Sequence, residues 1–257
     1  MKMGRLAVTG VAVVVLSTAG ACTGADEPAA SSAASSPSAE SAPAGSSAAS
    51  KELAAAATKL TEATGKMHVT MAGGLTGDGA FDTPAKAVTM TMNLTGLGEV
   101  AVRQLGNDLY LKFGGAAAKT FGTKWMHVDA SKMPTGSSLS LERNDPRNTA
   151  KMLSTTSDVT KTGTGDYSGT MDYSKAPGIT AELLKGLNGT DTLVPFTAEV
   201  NSGGYLTHMT MDLEAIAQGA GKVDATYSDF GSKVDISAPA KSQTVEMPAS
   251  VLQSFGG

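Results

Sequence analysis

The sequence has almost no cysteine, one in 257 residues. That excludes an internal disulfide framework and any multi-thiolate metal site. Aromatic residues are scarce as well, with 6 Phe, 5 Tyr and 1 Trp. A core must therefore draw on Ala, Val, Leu and a large share of the 13 Met. No Lys/Arg cluster occurs, and 20 basic against 24 acidic residues give a net charge of −4. Phosphate neutralisation needs concentrated positive charge, so nucleic acid is not an expected partner. Nucleotide and serine-nucleophile signatures are missing: there is no G-x-S-x-G elbow, no P-loop and no G-x-G-x-x-G opening a helix. Lys161-Thr162-Gly163 matches one element of the penicillin-binding signature, but the S-x-x-K partner is absent. A turn is the expected reading there.

The one long apolar run lies at the N-terminus. Lys2 and Arg5 precede an apolar stretch from Leu6 to Leu16, followed by Ala19-Gly20-Ala21 and then Cys22. The stretch is short for a bilayer span and has the layout of a signal peptide. The small residues before the sole cysteine look like a bacterial lipobox, with Ala19 where Leu is preferred. Residues 1–21 are thus expected to be a lipoprotein signal peptide and Cys22 the lipid anchor. An acylated Cys22 explains the single thiol in an oxidising compartment. Two acyl chains suffice for stable anchoring. The expected location is the extracytoplasmic face of the cell membrane.

Residues 22–50 are expected to be a tether. Twenty-four of the 28 residues from 23 to 50 are Ala, Ser, Pro or Gly, and such a segment has nothing to bury. Its root-mean-square reach is roughly 30 Å. Residues 51–257 are expected to form one domain. Lys51 to Lys66 is helix-prone, with Ser50 as a cap and Leu53, Ala56, Ala57, Leu60 and Ala63 on one face. The period then switches to two. Met67, Val69 and Met71 alternate with His68 and Thr70, and Val88, Met90, Met92 and Leu94 alternate with Thr89, Thr91 and Asn93. Strands also fit Val100–Val102, Leu109–Phe113, Lys124–Asp129, Asp166–Tyr173, Leu193–Asn201, Tyr205–Leu213, Lys222–Tyr227 and Lys233–Ser237. Gly106-Asn107-Asp108 and Asn201-Ser202-Gly203-Gly204 read as hairpin turns. Short helices are expected at Asn148–Thr156 and Ile179–Leu187. The sum is an α+β fold: a curved antiparallel sheet with helices packed on one face.

Catalytic chemistry is not expected. His68, His127 and His208 fall singly in strands, with no H-x-H or His-x-x-Glu spacing, so each reads as a polar residue on a solvated face. The carboxylates are scattered, and nothing marks a general acid/base pair. No cofactor or metal is expected. Methionine carries a signal of its own. Met67, Met71, Met90, Met92, Met209 and Met211 occupy alternating strand positions, and Met accommodates irregular apolar shapes. They could line a cavity for acyl chains or fill a Met-tolerant core. With Val69, Leu109, Leu111 and Phe196 from strands, and Met152, Leu183 and Leu184 from helices, they are the candidates to face the space between sheet and helices.

The C-terminal block resembles a known family. Leu193-Val194-Pro195-Phe196-Thr197-Ala198-Glu199-Val200, the Gly203-Gly204 turn and Tyr205-Leu206-Thr207-His208-Met209 resemble the late hairpin of the actinobacterial LppX/LprG-type lipoproteins. Ala225-Thr226-Tyr227-Ser228-Asp229-Phe230-Gly231, and Lys124-Trp125-Met126-His127-Val128-Asp129 upstream, do so too. The resemblance spans residues 52 to about 248 and implies a half-barrel with helices over its concave side, similar to periplasmic lipoprotein carriers. It implies a lipid or acylated glycolipid held between sheet and helices, envelope transport proteins as partners, and no enzymatic activity. A monomer is expected. The alternative that the residues leave open is a surface scaffold or sensor with a solid core that binds another envelope protein.

Overall fold

The computed structural model describes residues 44–96, 98–133, 147–153, 156–177 and 192–255, with Ser137, Leu139 and Leu184 singly. Cys22, Leu183 and the expected helix at 179–187 (Leu184 apart) lie outside the described residues. The chain opens with α1 (Ala44–Leu60). Ala49, Leu53, Ala56, Ala57 and Leu60 form its buried stripe. Most of that stripe is alanine, so the helix axis can lie close to the sheet. The helix starts seven residues before Lys51 and ends before Lys66. Ser50 is therefore inside it rather than capping it. Thr64 to Lys66 instead begin β1 (Thr64–Met71). Gly65 is needed there, because a Cβ would sit 2.8 Å from both the Phe81 ring and the Ser228 carbonyl.

From β1 the chain meanders outward through β2 (Leu75–Asp82), β3 (Ala87–Leu94), β4 (Gly98–Leu105), β5 (Asp108–Phe113), α2 (Gly115–Phe121) and β6 (Trp125–Asp129). It passes α3 (Asn148–Leu153) to the far edge. It then meanders back through β7 (Thr156–Lys161), β8 (Asp166–Asp172), β9 (Leu193–Val200), β10 (Leu206–Asp212) and β11 (Lys222–Ser228). β11 pairs with β1, so the two meanders join at the centre of one sheet. An extended strap then leads to β12 (Thr244–Glu246), which pairs in parallel with β6, and to α4 (Ala249–Phe255). The order is β12-β6-β5-β4-β3-β2-β1-β11-β10-β9-β8-β7. Every pairing is antiparallel except that of β12. A sheet this wide twists and coils, and this is the α+β half-barrel architecture expected from the sequence.

Several elements differ from expectation. Lys233–Ser237 is extended but joins no ladder, because both edges of β11 are already occupied by β1 and β10. Arg103 instead donates to the Ser237 carbonyl and ties the strap to β4. The helix at Asn148 stops at Leu153, and Thr156 already belongs to β7. β2, α2, β7, β12 and α4 are elements that the sequence pattern does not mark.

Three strands leave the sheet through the same device. Asp129, Asp172 and Asp212 each end a strand and cap a single 3-10 turn by accepting a backbone N–H two residues on. In the first two the sequence is Asp-x-Ser-Lys. The carboxylate takes both the N–H and the hydroxyl of Ser131 or Ser174, and the lysine closes on its second oxygen. Hydrogen bonds from Ser174 and Lys175 lower the Asp172 pKa from 3.8 to about 2, with Thr192 adding a further donor. A depressed carboxylate stabilises the fold above its unfolded pKa and loses that contribution as pH falls through the folded one. Asp172→Asn is therefore expected to lower the thermal midpoint at neutral pH. The gap to the parent protein should close as the pH is taken from about 4 toward about 2, followed by circular dichroism.

Candidate functional site

Residues paired across a sheet share a face, and here the pairing draws one apolar face through nearly every strand. One row runs Phe113, Val100, Met92, Gly77, Val69, Ala225, Met209, Ala198, Tyr167. The next runs Leu111, Val102, Met90, Gly79, Met67, Tyr227. Helices α1 to α4 pack on this face.

Two closed cores occupy its flanks. Over β7 to β11 and β1, α1 and α3 seal a cluster that holds Leu53, Val159, Tyr167, Met171, Val194, Phe196, Leu206 and Met209. Over β4 to β6, Leu109, Leu111, Phe113, Met126 and Val128 pack with Ala117 and Phe121 of α2 and Val251 and Leu252 of α4. Between them, on β1 to β3, Val69, Met90 and Met92 are only half-buried and belong to neither cluster among the described residues. The strand beneath them offers no side chain, because Gly77 and Gly79 face the same way. A Cβ at Gly77 would lie 3.3 Å from Met92 Cγ and 3.5 Å from Met90 Sδ, so the thioethers lean over bare backbone. Met67 leans over Gly79 in the same manner, 3.3 Å from where its Cβ would be.

Among the described residues this leaves an apolar strip between the two cores, a trough in outline, with glycine beneath and methionines leaning over it. One end is closed, where Phe81, Thr83 and Gln104 are buried. The other is open: Met71 is 39% exposed, and Leu75 and Leu94 are half-buried. No charged residue stands in either row. The trough can accept a flexible apolar chain, since methionines with three rotatable bonds can move off the glycines at little cost.

The sequence-expected residues fall into distinct places. Val69, Met90 and Met92 line the trough, Met67 stands at its border with the first core, and Met71 stands at its open end. Phe196 and Met209 are buried within the first core, with Met152 and Met211 packed partly against it. Leu109 and Leu111 are buried within the second. Leu184 is half-buried. Gly77 and Gly79 are not among the residues that the sequence marked for the site. Their signal is the alternation Gly77-x-Gly79-x-Phe81, which reads as turn-forming glycine unless the strand on either side is known.

The opposite face is a polar ladder. His68, His208 and His127 stand on it, as expected of solvated strand histidines. The His208 ring is held by Asp224 at 2.7 Å and Glu199 at 3.1 Å. Those hydrogen bonds raise its pKa above the ordinary histidine value against the opposing effect of burial. His127 bridges Asp108 at 2.8 Å and Glu246 on β12 at 2.9 Å. Burial lowers its pKa, the two hydrogen bonds raise it, and the net direction is up. Once the rings are protonated, each carboxylate meets an imidazolium, which makes these pairs cross-strand fasteners. Among the described residues no group of three His, Cys, Asp or Glu is arranged to hold a metal ion.

A separate open cleft of about 520 Å³ lies beside α1, lined by Glu52, Lys59, Lys161, Tyr167 and Gly204 among others. Its charges are mutually engaged. Lys161 pairs with Glu52 at 2.7 Å and lowers that carboxylate's pKa, Tyr167 donates to the same oxygen, and Lys59 donates to the Gly203 carbonyl. These bonds tie the helix to the β7–β8 and β9–β10 turns.

No family model matches the chain, and no curated protein matches it in sequence. Among solved structures the chain is similar to the crystal structure of Mycobacterium tuberculosis lipoprotein LppX. Identity is 17%, with 74% of this chain and 99% of that chain covered, and the TM-score is 0.49. It is also similar to the Pseudomonas aeruginosa MucA/MucB complex structure, at 13% identity and a TM-score of 0.33, with 76% of this chain and 60% of that chain covered.

Proposed function

We propose that this protein holds an acyl lipid or acylated glycolipid in the trough between the sheet and its helices, tethered to the outer side of the cell membrane through Cys22. The observation that carries this reading is the interruption of an otherwise sealed apolar face. A fold that closes both flanks with buried clusters leaves Val69, Met90 and Met92 half-buried over two glycines at its centre. Solvating such a strip is unfavourable, and an acyl chain laid along it recovers about 0.8 kcal/mol per buried CH₂. The expected anchor at Cys22 and the residues between it and α1, which begins at Ala44 rather than after residue 50, give the domain a reach of roughly 25 Å from the bilayer, where lipid could be collected or handed to envelope transport proteins. The role is one of binding and carriage, without catalysis, by a monomer.

The test is extraction and mass analysis of lipid from the protein purified from a producing cell, compared with Met90→Glu. The parent protein is expected to carry lipid in near-stoichiometric amount and the variant to lose it. A carboxylate in the strip is costly to desolvate, so lipid is excluded while water can reach the charge. Lipid occupancy unchanged in the variant would remove the central strands from the site. A parent protein free of lipid would remove the reading itself.

A further inference from the structure

The polar face of the sheet carries a second feature near the β5–β6 edge. Arg103 pairs with Tyr110 and Tyr110 with His127, so these side chains share that face. Lys112 and Trp125 stand two residues along the same strands and share it too. The strap between β11 and β12 crosses over them. Arg103 donates to the Ser237 carbonyl, and its guanidinium lies 4.9 Å from the centre of the Trp125 indole. The Lys112 ammonium lies 6.0 Å from the same ring. A single 3-10 turn over Lys241–Gln243 fixes the end of the strap, with the Gln243 N–H and the Thr244 hydroxyl both donating to the Ala240 carbonyl. Trp125 is left 8% exposed, an aromatic ring buried on the polar side of the sheet.

Beside the indole lies a pocket of about 220 Å³, lined by Lys112 of β5, Thr123 and Lys124 just before β6, Trp125, and Ser242 and Gln243 of the turn. Every polar side chain in that lining can donate a hydrogen bond, and none carries negative charge. Three segments distant in the chain bring them together, so no basic cluster shows in the sequence. Among the described residues neither lysine closes on a carboxylate. Glu246, the acid that follows the turn, is held by His127. Glu99, two residues from the Lys112 partner Ala101, is outside the lining. Two ammonium groups around one small cavity repel each other, and Arg103 adds to their field. Their juxtaposition is unfavourable until an anion offsets it.

We propose that this pocket is a binding site for a phosphate monoester. It lies on the opposite face of the sheet from the trough and does not rest on the lipid-holding reading. The donor set selects phosphate over carboxylate. Lysine binds as a point charge that can meet any of several oxygens, whereas a planar carboxylate is matched best by the arginine fork. Here the one fork, Arg103, is spent on Ser237 and the indole, and the cations of the lining are lysines. Thr123, Ser242 and Gln243 supply neutral donors for the remaining oxygens. The volume is that of about seven waters at roughly 30 Å³ each, enough for a phosphoryl group and the first atoms of its alcohol. A soluble glycerol phosphate and the headgroup of phosphatidic acid present the same chemistry.

Trp125 is the only tryptophan of the chain, so its emission reports on the pocket. The experiment titrates that emission in the full chain with glycerol 3-phosphate, and with phosphatidylcholine vesicles with and without phosphatidic acid. Sodium chloride at equal ionic strength is the control. A saturable change is expected with the phosphate ester and none with chloride. Lys112→Gln and Lys124→Gln should each raise the midpoint about tenfold, the loss of one charge-assisted hydrogen bond. Both positions are exposed, so folding should be preserved. The midpoint is read rather than the amplitude, because Lys112→Gln also alters the surroundings of the indole. Lys51→Gln, at an exposed lysine of α1, should leave the midpoint unchanged. A response to phosphatidic acid beyond that to phosphatidylcholine, with the same dependence on the two lysines, makes the source a lipid headgroup. A response to the soluble ester alone makes it a free phosphate ester. Either result supports the site. No saturable response to either phosphate, an equal response to chloride, or midpoints unmoved in both lysine variants would overturn it.

Discussion

Gly77→Phe is expected to abolish lipid retention while leaving a folded protein. Gly77 lies in regular strand backbone with no positive φ, so a side chain costs nothing in conformation and removes the flexibility that glycine has in the unfolded chain. The nearest atoms to its Cβ would be Met92 Cγ at 3.3 Å, and Met90 Sδ and Cγ at 3.5 and 3.7 Å. All belong to flexible side chains that can swing away. The phenyl ring would then occupy the floor of the trough, and the displaced methionines its remaining width. Gly79→Phe is the contrasting variant. Its Cβ would sit 2.5 Å from the Thr89 carbonyl oxygen, which is backbone fixed in the β2–β3 ladder. That substitution should disrupt the sheet and cost at least as much as ordinary core overpacking, about 1–3 kcal/mol. A chemical denaturation midpoint close to the parent's for Gly77→Phe, together with absence of lipid in mass analysis, is the expected pair of results. A folded Gly77→Phe that still carries lipid would place the ligand elsewhere.

These two glycines also show where sequence reading stops. The alternation of Met67-Val69-Met71 and Val88-Met90-Met92-Leu94 is legible, because a period of two with threonine between apolar residues fits a half-buried strand and does not fit a helix. The strand between them is not legible. In Leu75-Thr76-Gly77-Asp78-Gly79-Ala80-Phe81 the two middle inward positions are glycine, so the apolar half of the pattern vanishes where the strand is most central. Local propensity says turn, and the neighbouring strands override it by supplying ladder partners on both sides. The same limit explains Lys233–Ser237. Its Val-x-Ile alternation is sound strand sequence, but pairing needs a vacant edge, and both edges of β11 are taken. The exposure of Met71 is beyond the sequence as well. It shares a face with Met67, and only the position of the surrounding elements decides which methionine is covered. The half-barrel is what the resemblance of the late hairpin and the Lys124–Asp129 strand to the LppX/LprG-type lipoproteins implies; periodicity alone reaches an antiparallel sheet with helices on one face.

Leu53→Ala is expected to cost about 2–5 kcal/mol, the range for a fully buried leucine whose site collapses only partly. Leu53 is 1% exposed and is the one large side chain in the middle of the α1 stripe, flanked by Ala49, Ala56 and Ala57. Alanines on either side cannot expand into the void, and the strands below are held by ladders. Little relaxation is therefore available, and the loss should fall in the upper part of that range. Ala57→Leu is the reverse test. At 3% exposed within the core, overpacking there should push the helix off the sheet at a cost of about 1–3 kcal/mol. Both variants act on the sealed flank and neither touches β2 or β3. If the trough and the α1 core are separate, Leu53→Ala protein kept below its lowered denaturation midpoint should retain lipid at the parent level. Lipid lost from a variant that is still folded would mean that the ligand reaches under α1, and that the boundary at Met67 is not where the closed core begins.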